Sequence, residues 1–401
     1  MNTRDHTVSI TLHQTLLIAG IILIAFNLRP AITSVGPLLG IIRDDIGLSN
    51  WSAGVITSLP LLAFAVMSPI APKLGNRFGN ERTLLLGLFI LCLGIGIRSV
   101  AFTLTLYTGT ALVGLGIAIC NVLLPGVIKE KFPEKIGLMT SIYSTSMASF
   151  AALASGLSIP LTEKLGGWQQ SLASWAALSA IGLFLWLGIM LKNGRHSTPQ
   201  LFHSSAKGLL RSPLAWQVTF FMGFQSFLFY STISWLPEIL HEFGLTIETA
   251  GWLLAYMQFI SLPATFIAPI LAGKFKNQQG IVLLIGLCAL IGYGGILIGG
   301  PLPLIVIYTT LIGFALGASI SLALAFLSMR AVNARQAAEL SGMAQSFGYL
   351  LAAIGPMLIG FLYDFSHQWT LPLLVFLIGS LLVTVFGIGA GRDKYVLESR
   401  G

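Results

Sequence analysis

Residues 192–213 read KNGRHSTPQLFHSSAKGLLRSP, the longest polar break in a chain that is otherwise apolar almost from end to end. On either side the text resolves into runs of about 20 apolar residues, the length a helix needs to cross the hydrocarbon core of a bilayer. Six runs precede the break, at 13–39, 51–73, 83–101, 104–128, 137–162 and 168–191. Six follow it, at 214–240, 250–273, 280–300, 303–329, 337–363 and 369–391. The break thus acts as a linker between a first bundle, 1–191, and a second, 214–401. Composition agrees: of 401 residues 55% are hydrophobic and 9% charged, with a mean hydropathy of +0.86, outside the range of water-soluble globular proteins. Short segments of strict alternation, which a membrane barrel requires, are absent. The expectation is an all-α integral membrane protein of twelve transmembrane helices.

The net charge of +8 raises the question of nucleic acid, and the placement of the basic residues answers it. An even number of spans puts both termini on one side. That side takes Arg4, Lys73, Arg77, Arg82, Lys129, Lys131, Lys135, Lys192, Arg195, Lys207, Arg211, Lys274, Lys276, Arg330, Arg335, Arg392, Lys394 and Arg400, eighteen of the twenty-two Lys and Arg. The opposite side has Arg43 and Lys164, and Arg29 and Arg98 fall within spans. Short loops rich in Lys and Arg stay cytoplasmic, so both termini are expected inside a bacterial inner membrane, with the lipid bilayer rather than nucleic acid as the partner. Residues 1–12 are polar and no small-residue cleavage site ends a short apolar core, so no removable signal peptide is expected. The three cysteines, Cys92, Cys120 and Cys288, lie in spans and read as small packing residues; no disulfide framework, metal or cofactor is expected.

The two halves resemble each other. Gly47-Leu48-Ser49 and Ala53-Gly54 recur as Gly244-Leu245-Thr246 and Ala250-Gly251, at an offset of 197. Thr110, Leu112, Val113 and Gly114 recur as Thr309, Leu311, Ile312 and Gly313, at an offset of 199. Six spans per half give the repeats the same orientation, a parallel pseudo-repeat whose substrate site is expected near the midplane between them. Glycine and proline are spread through the spans, where small residues permit close helix packing and Pro or Gly permit bending.

Twelve spans in a six-plus-six arrangement with a basic central loop resemble the major facilitator superfamily. The loop PKLGNRFGNERTLL, 72–85, is similar to that superfamily's cytoplasmic motif at Leu74, Arg77 and Gly79, with Pro72 at the leading glycine and Asn76 at the aspartate. By that resemblance Arg77, Gly79, Glu81 and Arg82 are gating candidates, with Glu81 and Arg82 as substitutes for the missing Asp-centred charge interaction. The segments NLRPAITSVGPLL (27–39), TSLPLLAFAVMSPIAP (57–72), GIAICNVLLPGVIKEKFP (116–133) and SWLPEIL (234–240) resemble the branch that holds cyanate permeases and nitroimidazole exporters. The resemblance implies a secondary transporter of a small anion or small polar heterocycle.

Within the spans, Arg29 sits about mid-depth in the first. An arginine at a helix centre costs roughly 2.5–3.5 kcal/mol, so it faces a cavity or a partner. The acidic residues lie in loops or near span ends, as Glu238 and Glu339 do, and a transported anion is the natural counter-charge. Phe26, Arg29, Thr33 and Gly36 form one stripe by steps of three and four, while Pro30 breaks regular bonding. Arg29 as the donor that locks a kink at Pro30 is the alternative reading. Asn27 and Ser34 lie on the other side and suit bonding to a neighbouring helix, and Asn27 joins the ligand candidates. Arg98 is expected to reach the headgroup region by extending its side chain. The other polar and aromatic candidates are Asn121, Tyr143, Gln225, Phe229, Tyr230, Gln258, Gln345 and Tyr349, on spans that the resemblance makes cavity-lining. The run FFMGFQSFLFYSTISW, 220–235, offers aromatic walls suited to a small flat ligand.

No His, Asp or Glu is at mid-depth to carry a proton, so facilitated diffusion, anion exchange or coupling through the substrate's own protonation is preferred, with Glu238 and Glu339 held in reserve. The spans show no clustered carboxylates, metal-ligand set or paired nucleophile and base, so an enzyme is not expected; no soluble output domain supports a sensor. A broader drug or metabolite exporter of the same architecture is the other reading, and a monomer is expected.

Overall fold

A computed structural model describes residues 3–48, 50–100, 102–192 and 206–397; most of the 192–213 linker therefore lies outside the described residues. The helices are α1 (Thr3–Asn27), α2 (Pro30–Thr33), α3 (Leu39–Ile46), α4 (Asn50–Met67), α5 (Ala71–Phe78), α6 (Asn80–Arg98), α7 (Thr103–Lys131), α8 (Ile136–Leu165) and α9 (Trp168–Lys192). They continue as α10 (Ala206–Leu209), α11 (Pro213–Glu242), α12 (Ile247–Lys274), α13 (Gln279–Ile298), α14 (Leu302–Met329), α15 (Ala334–Ser366) and α16 (Thr370–Ala390). Among the described residues no strand occurs.

Among the described residues, ten helical segments are long and apolar enough to cross a membrane, and an eleventh is formed by Ser58–Met67 and Ala71–Phe78, bent by 50°. Pro69 at the break and Pro72 in the first turn of α5 withhold backbone donors there, which gives the bend its cause. The twelfth expected span is α11, whose 30 residues give a rod of about 45 Å. Gln225, Ser226, Tyr230, Ser231 and Thr232 interrupt its apolar sequence, and all but Tyr230 are buried. The all-α membrane architecture expected from the sequence is the one observed.

The chain forms two compact units. The first comprises the described residues of Met1–Ala63, Ile70–Leu124 and Ser146–Phe202; the second comprises Phe64–Pro69, Pro125–Thr145 and those of His203–Gly401. In the first, α6 packs on α9 and α7, and glycines set the α6–α7 distance: a Cβ on Gly116 would lie 2.6 Å from the Gly87 carbonyl oxygen. In the second, α11 packs on α15 and α16, and α12 on α14. The repeated Gly114 and Gly313 do the same work in each unit. A Cβ on Gly114 would lie 2.8 Å from Pro60 Cα of α4, and one on Gly313 would lie 2.5 Å from the Met257 oxygen of α12. A sequence match at an offset of 199 thus becomes an equivalent close helix crossing.

Within the second unit, Ser346 Oγ donates to Ala65 O (2.6 Å) and Ser328 Oγ to Pro125 O (2.9 Å), so 64–69 and the 125–145 segment pack on α14 and α15. Gly137 meets the backbone of Pro269 with no room for a side chain.

Candidate functional site

Span one is continuous in hydropathy and broken in structure. The helix α1 ends at Asn27 and α2 restarts at Pro30, with Arg29 at φ −119° and ψ −40° ahead of it. Pro30 supplies no N–H, so the regular ladder is interrupted here, and α8 takes up a carbonyl of the broken segment, Ser158 Oγ donating to Ser34 O at 3.0 Å. Thr33 Oγ1 in turn lies 3.1 Å from the Ala151 carbonyl oxygen of α8. The expected stripe is therefore not one helical face: Phe26 belongs to α1, Thr33 ends α2, and Gly36 opens the 3-10 turn Gly36–Leu38. Phe26 stacks on Phe150 at 3.8 Å. Asn27 is committed to α9, accepting from Ser179 Oγ at 2.8 Å and donating to Leu23 O at 2.7 Å and Leu178 O at 3.4 Å. Arg29 is buried, 7% exposed.

Arg98 corrects the sequence reading. Instead of reaching a headgroup it is 1% exposed and turned inward, its guanidinium donating to the carbonyl of Ala31. In an unbroken helix that carbonyl accepts from residue 35, but Val35 N bonds Ile32 O (3.3 Å). Arg98 therefore satisfies a group that the break releases, a kink-holding contact that the alternative reading had assigned to Arg29. Its Nε and second terminal nitrogen are buried without hydrogen-bond partners. Sequence reasoning missed the inward turn because depth along a helix says nothing of which way a long side chain points. The available signal was Gly109, whose missing side chain leaves room for the Arg98 backbone.

In the second unit the structure brings together Phe229, Tyr230 and Tyr349. Phe229 meets Tyr230 edge-on at 5.3 Å, Tyr230 lies 6.5 Å from Tyr349, and Tyr349 packs 4.6 Å from Phe64. Phe64, which sequence reasoning did not single out, extends the array because its short segment joins this unit. Gln225 is fully buried, with Nε2 donating to Ser226 Oγ (2.7 Å) and Met222 O (3.0 Å), and with Oε1 unpartnered. Gln345 donates to Ser341 Oγ at 2.8 Å, Tyr143 is buried on α8, and Gln258 is half-buried on α12. Asn121 is buried on α7 in the first unit. Glu339 is paired with Arg335 at 3.1 Å, and the Glu238 side chain lies outside the described residues. Among the described residues no group of three or more His, Cys, Asp or Glu is placed to hold a metal.

The 72–85 loop has a glycine of necessity. Gly79 sits at φ +89° and ψ 147°, ending α5 and opening α6, while its carbonyl accepts from Thr83 N (3.1 Å) and Oγ1 (2.8 Å). That backbone region is open essentially to glycine alone, so Gly79→Ala is expected to destabilise the protein by about 1–3 kcal/mol, read as a lowered Tm in detergent; an unshifted Tm would show the turn to be relaxed. Arg77 and Arg82 are exposed, and the Glu81 carbonyl accepts from Trp186 Nε1 at 2.9 Å.

The sequence profile of the Major Facilitator Superfamily matches residues 17–356. The chain belongs to this superfamily. It is a multi-pass membrane transporter, not an enzyme. Members similar to it include an uncharacterized transporter, YycB, of Bacillus subtilis (strain 168), 52% identical and aligned over 96% of this chain and 95% of that one. The 2-nitroimidazole transporter of Escherichia coli (strain K12) is 42% identical over 96% and 97% of the two chains, and the cyanate transport protein CynX of the same strain is 26% identical over 87% and 90%. Among solved structures, the superfamily's fucose transporter FucP in the outward conformation matches with a TM-score of 0.74 at 16% identity, covering 94% of this chain and 98% of that one, a likeness of fold.

Proposed function

We propose that this superfamily member carries a small anion or a small polar heterocycle, cyanate-like or nitroimidazole-like, by alternating access. It does so as a monomer in a bacterial inner membrane with both termini in the cytoplasm. The observation that carries the reading is Arg29, a buried cation beside a helix break in span one. A cation held at that depth attracts an anion strongly, because the medium around it screens charge poorly. Thr33 and Asn121 in the same unit are the accompanying polar candidates. The array of Phe229, Tyr230 and Tyr349, with Tyr143, Gln225, Gln258 and Gln345, suits a flat, weakly hydrated ring, and the unpartnered Gln225 oxygen is an acceptor for a ring N–H. The similarity to the 2-nitroimidazole transporter over nearly the whole length supports the heterocycle, and that to CynX supports the anion. Arg77, Gly79, Glu81 and Arg82 serve as gating residues.

Thermal unfolding of the purified protein tests this, with cyanate, nitrate, bicarbonate, short carboxylates, 2-nitroimidazole and unsubstituted azoles. A ligand at a hundred times its Kd stabilises the folded state by about 2.7 kcal/mol if it binds that state alone. A shift confined to small anions supports the anion carrier, and a shift confined to azoles supports the heterocycle carrier. No shift across the panel, with activity against larger drugs, would replace both with the broader exporter.

A further inference from the structure

Outside the candidate transport site, the second unit holds a cavity of about 540 Å³ at its basic end, where the approach to α11 meets the segment that follows α16. Arg211, Arg392 and Lys394 line it together with Gln217 and Tyr395, and all three cations are exposed. Two chain segments are tied together to bring them there. Ser212 Oγ, at the cap of α11, donates to Val396 O (2.6 Å), Val396 N donates to Arg330 O (2.8 Å), and Gln278 N donates to Gly391 O (2.9 Å). The segment after α16 is thus strapped across the ends of α11, α13 and α14. Asp393 is the one acidic residue among the described residues of this strap; burial lowers the Arg330 guanidinium to about 10, and Asp393 and Tyr395 work against the shift. Asp393 itself is not among the residues that line the cavity.

Depth and surroundings narrow the ligand. The membrane helices end at Ala390 and begin at Pro213, so the cavity lies within a turn or two of the hydrocarbon boundary, at the level of lipid headgroups. One residue before Gln217, Trp216 opens an aromatic lane along the helices. It lies 5.5 Å from Phe220 and 5.1 Å from Phe347; Phe220 and Phe224 lie 4.9 Å and 5.7 Å from Phe386. Residues 216, 220 and 224 share one face of α11 by steps of four, Phe347 is 44% exposed, and the others are half-buried. Trp216 is anchored at the rim by Nε1 donating to Leu210 O (2.9 Å), the interfacial placement tryptophan favours. We propose that the cavity binds the phosphate-bearing head of an anionic phospholipid, with an acyl chain on the aromatic lane. Three cations attract the negative phosphodiester without any of them having to be its sole partner, and the adjoining apolar lane favours a lipid over soluble phosphate, which shares the head chemistry.

Native mass spectrometry of the full-length protein, titrated with phosphatidylglycerol and with phosphatidylcholine of the same chains, tests the site. Each cation removed is expected to weaken phosphatidylglycerol binding about fivefold, so that Arg211→Gln/Arg392→Gln/Lys394→Gln loses about a hundredfold, while phosphatidylcholine binding is unchanged. The control is Lys274→Gln/Lys276→Gln, which removes two exposed charges near the same end of this unit without touching the cavity. Equal loss in that control, or undiminished binding in the triple variant with its Tm intact, overturns the proposal. A triple variant that fails to fold is replaced by Lys394→Gln alone, for which the fivefold loss still has to be seen. Inorganic phosphate that displaces phosphatidylglycerol at equal concentration would assign the cavity to a soluble anion and remove the lipid.

Discussion

Arg29→Gln abolishes saturable transport and leaves the protein folded and inserted. The side chain is 7% exposed and lies at the break between α1 and α2, so its charge acts in a medium that screens it poorly. Removing one partner of a desolvated charge pair costs about 2–5 kcal/mol, which predicts a loss of about thirtyfold to several thousandfold in transport efficiency for an anionic substrate. The fold is expected to survive, because an arginine at a span centre is itself roughly 2.5–3.5 kcal/mol unfavourable and glutamine retains hydrogen-bonding capacity. The contact that holds the break also comes from elsewhere, through Arg98 on the Ala31 carbonyl. Uptake into proteoliposomes, with Tm measured alongside, separates the effects. Unchanged KM and maximal rate would remove Arg29 from the site, whereas a transport loss matched by collapse of the Tm would make it a structural residue.

Gly317→Val is expected to cost the second unit about 3 kcal/mol or more, or to prevent folding. Gly313 and Gly317 are one turn apart on α14 and face α12. A side chain at Gly317 would meet the Ser261 carbonyl and, at 2.8 Å, Thr265 Oγ1; one at Gly313 would meet the Met257 oxygen at 2.5 Å. These are largely backbone obstacles, so relief requires moving a helix, and overpacking of a close interface costs about 1–3 kcal/mol even where side chains can give way. Gly317→Ala is expected to fall between the native protein and the valine variant. Thermal unfolding in detergent reads both, and a valine variant with native Tm would show that α12 and α14 are free to separate.

Much of this fold is legible in the amino-acid text because membrane insertion is a local accounting of apolar side chains. A run of about 20 apolar residues is helical and spanning almost regardless of its neighbours, since each peptide group must satisfy itself within hydrocarbon. The repeat of Gly114 at Gly313 and the loop at 72–85 are one-dimensional features of that kind, and the family match over 17–356 carries them into one architecture. Pro30 likewise announces an interrupted helix, because a missing N–H has its effect within one turn, whereas the break at Pro69 was not read from the sequence, since prolines such as Pro60 and Pro125 stay inside continuous helices.

Direction and partnership were not legible. Arg98 at the end of α6 reads as a residue free to extend toward headgroups, and only the packed structure turns it onto Ala31, 67 residues away in sequence. Phe64 entered the aromatic array because its segment packs on α15, which no property of residues 57–72 specifies. The strap after α16 likewise owes its place to Ser212 and Arg330, distant in the chain. Sequence by itself determined that this chain is a helical membrane transporter, where its spans run and that the first breaks at Pro30, because those outcomes rest on hydropathy and backbone donors within a few residues. Tertiary structure alone decided which buried side chain meets which freed carbonyl and which aromatic rings meet, because those choices depend on helix rotation and crossing, set jointly by contacts between residues far apart in the chain.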